Sequence, residues 1–162
     1  MKVLVGLVMA AVVSVGTAGA QPAYDESADA ASDLKAALGS AAKSGRHVIA
    51  IFGANWCSEC RALSKALQGE AGRMLEGEFV IVKIDIGHFE KNLDIAKSYG
   101  NPIADGIPGA VVLTADEKAI GVLDAGDLSN AVEDGDEDLY ELFHDVVHCG
   151  SVMCKVRRMF GS

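Results

Sequence analysis

Positive charge is scarce in this chain: 14 Lys and Arg face 23 Asp and Glu, a formal net charge of −9 at pH 7. That balance disfavours nucleic acid and anionic lipid as partners, because both are held by clustered basic side chains. No segment repeats, and nothing in the 162 residues marks a second domain. The first twenty residues contain no acid and a single base, Lys2. Within them Val3 to Val15 is apolar, and Ala18-Gly19-Ala20 places small residues before Gln21. Residues 1–20 are therefore expected to be a signal peptide, with an uncleaved N-terminal membrane anchor as the alternative. No cysteine closes the stretch, which argues against lipid attachment there. Without it the chain keeps 13 basic and 23 acidic residues, a formal −10. Half the residues are apolar, enough for one domain with a core.

Cysteine is also sparse, four residues in two close pairs: Cys57 with Cys60, and Cys149 with Cys154. In an exported chain these could be structural disulfides, redox centres, or both. The elements around them can be read from periodicity. Residues 21–26 look like a linker, followed by a helix from Ser27 to about Gly45 with Ala31, Leu34, Leu38 and Ala41 near one face. His47 to Phe52 reads as a buried strand, and the next helix begins near Cys57, with Cys60, Leu63 and Leu67 on a shared face. Gly69 or Gly72 should end or bend that helix. A second apolar strand covers 79–86, then a helix at 92–99, strands at 110–114 and 119–123, and a last helix from about Glu137 to His148. This order predicts an α/β domain: a central mixed sheet, helices on both faces, and an extra helix in front.

The most informative stretch is Trp56-Cys57-Ser58-Glu59-Cys60. It puts one thiol at a helix N-terminus and a second one turn further in, geometry suited to exchanging a disulfide. First-turn amides and the helix dipole favour the Cys57 thiolate, while a nearby Glu59 carboxylate opposes it. No His or Lys lies between the cysteines to favour the thiolate further. The balance leans toward a reductase or exchange role, since strong oxidants owe their potential to an unusually stable reduced form.

The run Ala50 to Cys60, the strand ending Lys83-Ile84-Asp85, and Tyr99-Gly100 leading to Gly106-Ile107-Pro108 together resemble thioredoxin-fold proteins. The likeness is to exported thioredoxin-like proteins and to the periplasmic thioredoxin-like domain of transmembrane disulfide reductases, over residues 30 to 148. It implies a thioredoxin-like domain at 27–148 with 149–162 as a tail. It implies a periplasmic thiol–disulfide oxidoreductase that needs no cofactor. Cys57 would attack and Cys60 resolve. Pro108 would be a cis-proline facing the disulfide, Ile107 would offer backbone hydrogen bonds to an extended substrate, and Trp56 would flank the site. Protein disulfides would be the substrates and a membrane-bound reductase the electron donor, with the chain expected to act as a monomer. Two positions depart from the family pattern. Ile51 stands where its reductases commonly carry a buried acid, leaving Glu59 as a candidate for proton transfer. Ser58-Glu59 is also not a dipeptide of its well-known members.

Other readings remain open at this point. The fold could carry a metal-handling (copper or zinc) or redox-silent binding module, or the site could serve an oxidase or isomerase. Cys149 and Cys154 could form a small structural disulfide if Gly150 ends the last helix. His144-Asp145-Val146-Val147-His148 has the spacing of a zinc-protease helix, but both rings should face solvent, and no metal site is expected. The acidic run 133–138 reads as a solvated helix start.

Overall fold

The computed structural model describes residues 22–148. The segments expected to be the signal peptide (1–20) and the C-terminal tail (149–162, with Cys149 and Cys154) lie outside the described residues. In chain order the elements are α1 (Ala30–Ser44), β1 (His47–Gly53), α2 (Ser58–Ala66), α3 (Glu70–Leu75), β2 (Phe79–Asp85), α4 (Leu93–Ser98), β3 (Gly109–Leu113), β4 (Ala119–Leu123), α5 (Ala125–Asp134) and α6 (Asp136–His148). The strands form one sheet in the order β2-β1-β3-β4. β1 runs parallel to β2 and antiparallel to β3, and β4 completes the other edge antiparallel to β3.

The alternating sides of each strand build two cores. Ile49 and Ile51 of β1 join Ala110 and Val112 of β3 beneath α2, α3, α5 and α6. Val48, Ala50 and Phe52 join Val111 and Leu113 on the opposite face, covered by α1 and α4. β1 is thus covered on both sides, which accounts for its unbroken apolar run. This is the layered mixed sheet that the sequence predicts, N-terminal helix included.

Several details differ from the sequence reading. α1 starts at Ala30 because Asp29 caps it, accepting the Ser32 N–H at 3.1 Å. Its buried stripe is Ala30, Leu34, Ala37 and Ala41, whereas Ala31 is exposed. Small residues at three of these four positions let the helix lie close against the sheet. α5 is an element the sequence reading did not anticipate. It is short, capped by Asp124 through the Asp127 N–H, and buries Leu128 and Ala131. Its acidic end, Glu133-Asp134, belongs to the same run that was read as the start of the last helix. Gly135, at φ +134, breaks the run and begins α6 anew. Within the stretch read as a linker, Tyr24 is 1% exposed and packed into the core. No helix among the described residues is long and apolar enough to cross a membrane.

Candidate active site

β1, an interior strand, ends at Gly53, and a tight turn closed by the Cys57 N–H on the Ala54 carbonyl (3.3 Å) starts α2. Cys57 occupies the N-cap position, and its Sγ accepts the Cys60 N–H at 3.1 Å. Ser, Thr, Asp or Asn usually fill this role, using an oxygen. A sulfur here sits at the positive end of the helix, where a thiolate is a better acceptor than a thiol. The same sulfur lies 3.6 Å from the Ile107 carbonyl oxygen and 3.7 Å from Glu59 Oε2. The Ile107–Pro108 peptide bond is cis.

Cys60 points inward from the first turn of α2 and has no exposed surface. Burial pushes its thiol well above the ordinary range, and the neighbouring Cys57 adds to the shift. Both cysteines are free thiols, so the structure is of the dithiol state. The two sulfurs therefore differ in environment, one capping a helix near the rim and the other sealed beneath it.

Trp56 is 48% exposed and held in place by its indole N–H, which donates to the Gly87 carbonyl at 2.8 Å. It stacks on His88 with ring centroids 5.3 Å apart, and Phe89, also exposed, lies beside it. Together they form an apolar shelf next to Cys57. Glu59 is fully exposed; its own backbone amide, then the Ser58 hydroxyl at 2.9 Å, hold its carboxyl below the usual value. Its contact is to Cys57 and not to Cys60, so it is poorly placed to move the proton of the buried thiol. Ile51 is fully buried in the same apolar cluster as Cys60 and offers no proton at all.

Tyr24 is a residue that the sequence reading did not place at the site. Its backbone is clamped by Asn55, which accepts the Tyr24 N–H and donates to the Tyr24 carbonyl, both at 2.9 Å. Asn55 also donates to Glu26, and Lys91 reaches both the Glu26 carbonyl and the buried Asp85 carboxylate. The clamp drives the Tyr24 ring under the motif. A Cβ on Gly53 would fall well inside contact distance of the Tyr24 hydroxyl and 2.9 Å from Cys60 Sγ, so the two groups face each other across the glycine. That hydroxyl is buried and has no hydrogen-bond partner among the described residues. Burial first, then the two cysteines, raise its pKa far above the ordinary tyrosine value, so it stays a neutral donor.

A family profile described as thioredoxin-like matches residues 29–115. A solved disulphide isomerase from Xylella fastidiosa Temecula1 is 38% identical with a TM-score of 0.73, covering 80% of this chain and 99% of that one. A thioredoxin from Thermus thermophilus is 23% identical over 72% of this chain and 88% of that one, with a TM-score of 0.49. The reduced DsbD C-terminal domain from Neisseria meningitidis is 24% identical over 65% and 96%, with a TM-score of 0.45. No curated protein matches the chain.

The space between Tyr24 and Cys60 admits no extra atom. Gly53→Ala should therefore cost about 1–3 kcal/mol, the usual range for overpacking a core. Urea unfolding of the reduced protein measures it, and a loss below about 0.5 kcal/mol, the scale of a neutral surface change, would contradict the packing described.

Proposed function

The chain belongs to the thioredoxin-like family and is a thiol–disulfide oxidoreductase, and from that premise we propose that it reduces disulfides in exported proteins. The observation that carries the direction is the setting of Cys57. A carboxylate lies 3.7 Å from its sulfur, and neither Ser58 nor Glu59 brings a positive charge. Strong oxidants owe their potential to an unusually stable reduced form, and no cationic side chain in the motif supplies that stabilisation here.

In this reading the Cys57 thiolate attacks one sulfur of a substrate disulfide. A Cys57–substrate bond forms, the substrate S–S bond breaks, and the departing thiolate takes a proton from water. Cys60 then loses its proton and attacks Cys57 Sγ, which releases the second substrate thiol and leaves Cys57 and Cys60 as a disulfide. Two electrons have passed to the substrate and must be restored by a dithiol donor, for which a membrane reductase on the same side of the membrane is the proposed source. The Trp56 and Phe89 shelf and the Ile107 backbone would receive an extended peptide. The signal-like residues 1–20 support export, with the periplasm as the proposed site of action.

Tyr24 replaces the missing buried acid in a different way. Its hydroxyl, unpaired in the dithiol, is a ready donor to the Cys60 thiolate that must form for resolution. It acts through Cys60 and is a positioning residue. A second reading, disulfide isomerisation, is favoured by the 38% identical relative, which is a disulphide isomerase.

Cys57→Ser should abolish exchange with a protein disulfide, while Cys60→Ser should accumulate mixed disulfides, visible by non-reducing electrophoresis. Rearrangement of a scrambled substrate by Cys60→Ser would favour isomerisation, because that reaction needs only the attacking cysteine. Full net reduction by either variant would remove the proposal.

Tyr24→Phe tests the positioning role. Because burial raises the Cys60 value, resolution should accelerate as pH rises. Losing the hydroxyl should raise that value further, slowing resolution about tenfold at neutral pH, the scale of one hydrogen bond to a charged group. Stopped-flow decay of the mixed disulfide across pH reads this out. An unshifted pH profile would show that Tyr24 only fills space.

A further inference from the structure

The end of the sheet opposite the cysteines brings together three side chains from two distant segments. Glu78 directly precedes β2, whose first residue pairs with His47 and whose last pairs with Gly53. Seven residues at about 3.3 Å each put Glu78 roughly 20 Å from the cysteine end. His144 and His148 are four residues apart on α6 and so project from the same side of that helix. Leu139, Leu142 and Phe143 anchor α6 in the core, with the Phe143 ring 6.4 Å from that of Phe79. The histidines are thus presented by a fixed element directly beside Glu78.

Both imidazoles aim a nitrogen at the same carboxylate. Nε2 of His148 is 2.7 Å from Glu78 Oε2, and Nε2 of His144 is 3.9 Å from Oε1. The two rings stack with centroids 4.2 Å apart. Tyr140, one turn earlier, donates its hydroxyl to Glu78 Oε1 at 3.1 Å and packs its ring beside His144. The His148 contact, then Tyr140 and His144, hold the Glu78 carboxyl below its ordinary value despite some burial.

We propose that Glu78, His144 and His148 form a binding site for a borderline-soft divalent cation, with zinc as the reference ion. Two imidazole nitrogens and one carboxylate oxygen are a donor set that zinc takes with a fourth position left open, and imidazole disfavours the hard oxygen-seeking ions. The ligand atoms all lie within 4.8 Å of one another. Tetrahedral zinc bonds of about 2.0–2.1 Å place donor atoms about 3.3 Å apart. The two N···O separations, 2.7 Å to Oε2 and 3.9 Å to Oε1, lie on either side of that value, each imidazole facing its own oxygen of the one carboxylate. Tyr140 is the outer partner that orients the carboxylate. All three ligands are partly exposed, which gives an ion a path in. A bound cation would tie the last turn of α6 to the start of β2, independently of the dithiol at the other end of the sheet.

The test is a zinc titration of the full chain followed by NMR of the four imidazoles. The titration is run on the oxidised protein, so that no thiol competes for zinc, and His88, which stacks on Trp56 at the cysteine end, serves as the remote control. The expected result is saturation at one equivalent, with the His144 and His148 resonances shifting and that of His88 unmoved. Glu78→Gln and His148→Ala should each weaken binding at least about tenfold, while their circular dichroism stays that of the folded protein. No shift of His144 and His148 up to about 100 µM zinc, an affinity too weak for a specific site, would overturn the proposal. Movement of His88 instead, or unchanged affinity in both variants, would overturn it equally.

Discussion

Two buried sulfurs three residues apart differ in what surrounds them, one capping a helix and the other sealed in the core, and the proposed chemistry depends on keeping them so. Cys57 replaces the usual oxygen at a helix N-cap and accepts the Cys60 amide, which fixes its sulfur beside the Ile107 carbonyl and the Glu59 carboxylate. Cys60 begins the buried stripe of the same helix and is sealed against β1. A helix that starts at the first cysteine makes this division automatic, since the second residue of the pair turns toward the core within one turn. The strand in front matters as much. β1 is hydrogen-bonded along both edges, parallel to β2 and antiparallel to β3, and these ladders hold the turn that carries the motif at a fixed height above the sheet.

The N-terminal segment completes that arrangement. Asn55 binds the Tyr24 backbone in both directions, so the residue two positions before Cys57 also fixes the ring that lies under Cys60. Gly53 is the third part, because any side chain there would meet both the hydroxyl and the sulfur. With isoleucine at position 51, the polar group that faces Cys60 across Gly53 is the neutral Tyr24 hydroxyl. At the far end of β2 the chemistry is of another kind, with Tyr140, His144 and His148 gathered on one carboxylate.

Much of the fold was legible because its signals are local. The apolar runs of β1 and β2, the helix-forming spacing after Cys57, and the turn glycines place four strands and most helices within a few residues. α5 was missed for a physical reason: it is ten residues long, contains Gly126, and ends in acids that merge with the next helix start. The cysteine pair and Trp56 were equally readable, since their chemistry lies in one short motif. Tyr24 was not, because its burial rests on Asn55, 31 residues away. Glu59 was placed near the thiols, but sequence spacing could not tell which sulfur it faces. The HxxxH spacing on α6 was visible, whereas its carboxylate partner Glu78 lies 70 residues from His148 and only the fold brings them together.

The most direct test of the account is the equilibrium reduction potential of the Cys57–Cys60 pair against glutathione, with Cys149 and Cys154 replaced by serine. An anion beside Cys57 and no cation in the motif predict a value near the thioredoxin end, about −270 mV. A value near about −120 mV would mean an unusually stable dithiol and would contradict the assignment of the chain as a reductase.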